Sequence, residues 1–288
     1  MGSQVTESVT PNDEMAENYD VIASWFLTDW HEAPRDQVAG FMQRIWEEHS
    51  PPVNKVLELC YGPGLTLREL VRRGYGVTGL DASPTQLELA KQRLGRSAQV
   101  RLVEAGLPAI PLEEQFDAVV CAGGAFTYVP NSTVLLQAFQ AVHRVLRPGG
   151  TFIFDLFSEA LMQRCFEYTE DAPRGINLES RGLTFFLACH RPAAKDSYDL
   201  TFVQFLRNDA TQTYTRSSAV HRVHTRPQER VTDLAVQAGF RRVQVFDNYR
   251  HQPSGPETLY ETYVAVKPGG PPARPEASSG RAAHPPRP

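Results

Sequence analysis

From Lys55 onward the chain alternates between short apolar runs and segments with helical spacing, and this alternation limits the possible folds more than any other feature. Strand-like runs cover Lys55–Leu59, Gly76–Leu80, Val100–Val103, Asp117–Cys121 and Thr151–Phe154, with helical patterns between them at Leu65–Arg73, Pro84–Leu94 and Thr133–Leu146. Repeated βα units bury both faces of their strands only by forming a parallel sheet with helices on each side, so the expected fold is α/β, doubly wound and Rossmann-like. Punctuation agrees. Gly74 follows the first helix, Ser83-Pro84 caps and opens the second, and Arg147-Pro148-Gly149-Gly150 stops the third.

Outside this series the rhythm changes. Residues 36–49 place Val38, Phe41, Met42, Ile45 and Trp46 on one helical face, and Glu14–Trp30 has a helical pattern too, so residues 1–50 are expected to form a helical cap ahead of a core over 51–267. Within the core, at about 158–226, the runs Leu183–His190, Ser197–Leu206 and Thr213–His224 are rich in β-formers and separated by turn residues. They are expected to form an antiparallel β lid inserted into the main sheet. The helix Pro227–Ala238 and the strands Arg242–Asp247 and Glu261–Lys267 then complete seven strands. Residues 268–288, crowded with Pro, Gly and Ala, read as a disordered tail.

Charge and cysteine usage narrow the partners. The net charge is −4 and the basic residues are dispersed, so no nucleic-acid footprint stands out. Cys60, Cys121, Cys165 and Cys189 lie far apart with no metal-ligand spacing, which suggests neither a disulfide framework nor a metal site and fits a reducing, cytoplasmic location. No apolar stretch reaches the roughly 20 residues of a membrane span. The expected partner is a small molecule, and the expected assembly a monomer or homodimer.

The first strand runs into a glycine-bearing turn, VLELCYGPGLTLREL over residues 56–70. A dinucleotide fingerprint wants a third glycine where Leu67 stands, so the nicotinamide reading is weak. Glu58 lies within that strand, and Asp81 closes the next one. Strand-end acids of the second kind accept from the vicinal hydroxyls of a ribose, which indicates a nucleoside.

The segments 56–64, 79–83 (GLDAS), 116–129 (FDAVVCAGGAFTYV) and 145–157 (VLRPGGTFIFDLF) resemble, in order, those of the class I S-adenosylmethionine-dependent methyltransferases, in particular the small-molecule branch of glycine and aminosugar N-methyltransferases. The resemblance implies a seven-stranded methyltransferase sheet with S-adenosylmethionine as cofactor. By the same resemblance Glu58, Cys60, Gly62 and Gly64 lie along the methionyl portion, Asp81 with Ala82 takes the ribose, and Cys121-Ala122 line the path to the sulfonium. Many relatives place an Asp after the third strand to accept from adenine; here Gly106 stands at that point. Adenine recognition then falls to Ala105, Gly106 and Leu107, or to Glu104. Arg35 resembles the arginine that holds the cofactor carboxylate in the glycine-type enzymes.

A methyl on a sulfonium is already activated, so catalysis is chiefly positioning, and a base is needed only where the acceptor must lose a proton. Tyr19 and His31, beside the aromatic group Trp25, Phe26 and Trp30, are expected to close over the site. Tyr128, beyond the fourth strand, is the hydroxyl placed best by the resemblance, and His190 and His221 of the lid are candidate bases. An aromatic lid suits an apolar, flat or amine-bearing acceptor, such as an antibiotic or alkaloid precursor, methylated on N or C rather than O. A non-catalytic S-adenosylmethionine sensor and a nicotinamide oxidoreductase are the alternatives.

Overall fold

A computed structural model describes residues 34–48, 52–95, 100–171, 173–178, 182–190 and 196–269. Helix α1 (Arg35–Glu48) precedes β1 (Lys55–Leu59), α2 (Leu65–Arg72), β2 (Gly76–Asp81), α3 (Pro84–Leu94), β3 (Val100–Glu104) and β4 (Phe116–Cys121). A 3₁₀ turn (Ala125–Tyr128) leads to α4 (Ser132–Val145), β5 (Leu146–Phe157) and α5 (Glu159–Thr169). Four further strands follow, β6 (Arg174–Leu178), β7 (Leu183–His190), β8 (Ser197–Asn208) and β9 (Thr213–His224), then α6 (Gln228–Gln237), β10 (Arg241–Asp247) and β11 (Tyr260–Val266).

The main sheet has seven strands in the order β10-β11-β5-β4-β1-β2-β3. β1 lies between β2 and β4, parallel to both, and β11 runs opposite to the other six, antiparallel to both β10 and β5. The order reverses beside β1, and in open α/β sheets the crevice at such a switch point, outside the carboxyl ends of the strands, is where ligands bind. Both faces are covered. Phe41, Ile45, Leu67 and Ala90 from α1 to α3 pack on Val56, Val77 and Val120, while Phe139, Val142, Leu234 and Ala235 from α4 and α6 pack on Leu57, Val119 and Phe152. Helix starts are locally encoded: the Ser83 hydroxyl accepts from Gln86 N at 3.0 Å and Asn131 Oδ1 from Val134 N at 3.0 Å.

Two features depart from the sequence expectation. β5 begins at Leu146, so Pro148-Gly149-Gly150 lies within it; the register shifts between Phe116↔Leu146 and Ala118↔Thr151, with Gly149 at φ 80°. The second sheet has four strands, β6-β7-β8-β9, because Arg174–Leu178 pairs with β7 from Arg174↔Leu187 to Leu178↔Leu183. The sequence RGINL is too short and mixed to announce a strand by itself. α5 backs this sheet: the Thr169 hydroxyl accepts from Cys189 N at 2.9 Å, and Met162 joins Cys189, Tyr198, Leu200 and Val223 in a small apolar core.

Candidate active site

The cleft opens at the carboxyl ends of β1, β2 and β4 and encloses about 1110 Å³, its solvent mouth included. Its floor is the turn after β1. Cys60, Gly62 and Gly64 all have positive φ, at 52°, 55° and 76°, a region costly for a residue with a Cβ, so the chain doubles back tightly beneath the cleft. Gly79 opposite has no room for a side chain: a Cβ there would lie 2.7 Å from the Tyr61 ring. Asp81 ties the two strand ends together, its Oδ2 accepting from Gly62 N at 2.8 Å and its Oδ1 from Ser83 N at 3.0 Å.

One wall carries a buried charge cluster. Glu58 is 2% exposed and lines the cleft, and its Oε2 has no hydrogen-bond partner among the described residues. Burial pushes its carboxyl up to about 8, against the opposing pull of the Arg35 guanidinium. Arg35 reaches the cleft from the start of α1, and its buried Nε is likewise unpartnered among the described residues. Asp155, buried within β5, accepts from Gly123 N at 3.1 Å and Gly124 N at 2.7 Å and so fixes the corner after β4. Burial raises its carboxyl too, partly offset by those two N–H groups and by Arg35. A Cβ on Gly124 would meet the Phe157 ring at 2.0 Å, so only glycine fits this corner.

The opposite end is apolar. Ala125, Tyr128, Val129, Pro130 and Val134 line it, and Tyr128 is the bridge to the second sheet. His221, buried on β9, stands with Nδ1 3.2 Å from the Tyr128 hydroxyl, and its ring meets those of Tyr128 and Phe202 edge-on. Arg226 adds a second tie, donating to the carbonyl oxygens of Val129 and His224. Burial lowers its guanidinium to about 10.

Among the residues singled out from the sequence, Arg35, Glu58, Cys60, Gly62, Asp81, Ala82, Gly106, Leu107, Ala122 and Tyr128 line one cleft. Others do not. Gly64 faces away, because a Cβ there would press on Ala90 of α3 at 3.2 Å. Glu104 is exposed at the end of β3, and the N–H of Ala105 is already given to Asp81 O at 2.9 Å, so of the adenine candidates only Gly106 and Leu107 face the cleft. Cys121 lies fully buried beneath the floor, where burial and the neighbouring Cys60 push its thiol well up. His190 is exposed at the last position of β7, outside the cleft. His221 is not among the lining residues but contacts Tyr128, which is. Tyr19, His31, Trp25, Phe26 and Trp30 and the segment 270–288 lie outside the described residues.

Sequence reasoning did not single out Asp155 or Tyr61 as site residues, and read Ser83 only as a helix cap. An acid inside the apolar run IFDLF was the available signal for Asp155, since a buried carboxylate needs donors to face it.

Comparison with known proteins agrees with this fold. Residues 56–150 match the family model described as a methyltransferase domain. The chain is 26% identical over 213 residues to a putative methyltransferase, YqeM, of Bacillus subtilis (strain 168), covering 72% of this chain and 80% of that protein. An S-adenosylmethionine-dependent methyltransferase structure from Clostridium acetobutylicum ATCC 824 superposes with a TM-score of 0.73 at 21% identity, covering 90% of this chain and 99% of that one. The sugar N-methyltransferase KedS8 from Streptoalloteichus sp ATCC 53650 does so with a TM-score of 0.69 at 19% identity, covering 93% and 98%.

Proposed function

Since the chain carries a class I S-adenosylmethionine-dependent methyltransferase domain, we propose that it methylates a nitrogen of a small amine-bearing acceptor, such as a precursor of a secondary metabolite. The observation that carries this reading is one cleft with two unlike ends, polar and charged at Glu58, Arg35 and Asp81, apolar with a single hydroxyl at Tyr128.

The donor end fits the cofactor. Its buried Glu58 Oε2 and Arg35 Nε lack partners among the described residues, and a ligand bearing both an ammonium and a carboxylate supplies them. Asp81 is read as the acceptor for ribose hydroxyls, with Gly106 and Leu107 bordering the base. S-adenosylmethionine supplies a methyl group already activated on its sulfonium, so the chain has to align a nucleophile and exclude water. No carboxylate lines the apolar end among the described residues, which suits a nucleophile that attacks through a neutral lone pair. The sugar N-methyltransferase with the similar fold supports an amine as well. Tyr128 is then the group that orients the acceptor. His221 holds the phenol through its Nδ1, 3.2 Å from the hydroxyl. The four-stranded sheet, with Tyr128, Phe157, Leu187 and Phe202 packed on its small core, serves as the lid that keeps water out.

The test is incubation with methyl-labelled S-adenosylmethionine and two matched panels, amines with aminosugars among them, and their hydroxyl analogues, with mass spectrometry of the products. Label in the amines alone supports the reading. Label only in the hydroxyl series overturns it, and tight donor binding with no turnover of any acceptor leaves a sensor as the better account.

A further inference from the structure

We propose that Glu58 is neutral before the donor binds and gives up its proton when the donor's methionyl ammonium arrives, so that binding expels a proton and selects ligands that carry that ammonium. The inference rests on the reading of this cleft as the donor site.

Glu58 stands on the inner strand β1, paired with Gly79 of β2 and Val120 of β4, and at 2% exposure an ionised carboxylate there is poorly solvated. Among the described residues, the titratable or charged groups that act on it are Arg35 from α1, Asp81 from β2, Cys121 from β4 and Tyr61 from the turn after its own strand. Arg35 favours the charged form of Glu58 and Asp81 opposes it, while burial outweighs both. The thiol and the phenol are themselves pushed up and stay neutral. Arg35 is also shared, since it stabilises the ionised Asp155 carboxylate. Glu58 is thus left a carboxyl group with one oxygen unsatisfied among the described residues and no cation committed to it.

The ammonium and carboxylate of an amino acid hang on one carbon, so the groups that hold them must be neighbours. Arg35 and Glu58 are such a pair, facing the same cleft. Arg35 takes the carboxylate, and the ammonium then lies by Glu58. The exchange balances: the O–H bond of the Glu58 carboxyl breaks, its proton passes to the buffer, and the carboxylate accepts an N–H of the ammonium. With the carboxyl at about 8, close to one proton leaves per ligand bound at pH 7.

The test uses the full chain, S-adenosylhomocysteine as the ligand with the ammonium, and 5′-methylthioadenosine as the nucleoside without it. Calorimetry in two buffers of different ionisation enthalpy, from pH 6 to 7.5, counts the protons. The expected result is release of nearly one proton with S-adenosylhomocysteine, affinity rising about tenfold per pH unit, and neither effect with 5′-methylthioadenosine. Glu58→Gln removes the release and flattens the S-adenosylhomocysteine profile while leaving 5′-methylthioadenosine affinity unchanged. Equal release with both ligands, no release with either, or release persisting in Glu58→Gln overturns the inference. If that variant does not fold, the comparison of the two ligands on the unaltered protein decides alone. Should neither ligand bind, the donor site itself is misread, a failure distinct from binding without proton release.

Discussion

At the end proposed for the donor the cleft is shaped by backbone N–H groups held on carboxylates, Gly62 and Ser83 on Asp81, Gly123 and Gly124 on Asp155. At the end proposed for the acceptor it is shaped by side chains, the Tyr128–His221 contact and the rings packed around Met162 and Tyr198. Bonds from main chain to a buried charge tolerate almost no movement, so one end is suited to a single invariant ligand. Packed rings can be exchanged without unmaking the parallel sheet, so the other end is free to differ among relatives that share the fold.

The largest effect is expected from breaking the donor end. Asp81→Ala removes the acceptor for two internal N–H groups and, on the proposed reading, for the ribose hydroxyls; at roughly 1.5–3 kcal/mol per hydrogen bond to a charge, two lost ribose bonds are expected to weaken donor affinity by at least about a hundredfold. Calorimetry with S-adenosylhomocysteine measures this, and circular dichroism checks that the sheet survives. Near-unchanged affinity in a folded variant would show that Asp81 serves the loop alone.

At the acceptor end the effects should fall on turnover instead. Tyr128→Phe is expected to lower kcat roughly 10- to 100-fold, at the modest end for a lost proton-transferring or orienting group, while S-adenosylhomocysteine affinity stays within about twofold. His221→Gln should do the same, because His221 contacts the Tyr128 hydroxyl. The double variant should then be no worse than either single one, as for two groups acting as a unit. Additive losses would mean that the two residues serve separate ends.

The same contrast explains what could be read in advance. The parallel strands were legible because each is a continuous apolar run between helices, and Glu58, Asp81 and the glycine turn were legible because a polar or flexible residue is conspicuous there. Asp155 satisfies the same logic, but its partners Gly123 and Gly124 lie 32 and 31 residues away, and only folding pairs them with it. The second sheet was legible as β-structure, yet alternation by itself does not say which face turns inward. Tyr198, Leu200, Phe202 and His221 share the inward face because α5 and the Tyr128 corner pack there. Of two histidines that looked equivalent in the sequence, one is therefore buried and one exposed.

Glu58 also leaves a signature in stability. Its carboxyl is raised by burial from 4.5 to about 8, so between those values the folded chain holds a proton that the unfolded chain has released. Rising pH then favours unfolding, by about 1.4 kcal/mol per unit across that window. Burial raises the carboxyls of Asp155 and Glu261 in the same direction. Thermal melts from pH 5.5 to 8 should therefore show Tm falling, and Glu58→Gln should make the fall shallower without abolishing it. An identical slope in the variant would mean that Glu58 is ionised throughout the range.

His190 offers the smallest effect and a direct contrast with His221. It faces Asp199 across the β7–β8 pair, and Asp199 is already engaged by both Nε and Nη2 of Arg222, at 2.7 and 2.8 Å. That leaves the imidazole little electrostatic work, because an exposed charge beside a carboxylate already bound in a fork gains little further. An exposed side chain of this kind typically changes stability by no more than about 0.5 kcal/mol on truncation. His190→Ala should accordingly keep Tm within about 2 °C of the parent, the shift such a change produces in a chain of this size, with turnover and its pH profile unchanged. A loss of turnover comparable to that of His221→Gln would show that the outer face of the sheet, and not only the face against Tyr128, meets the acceptor, and the division of the cleft into a backbone-built end and a ring-built end would have to be redrawn.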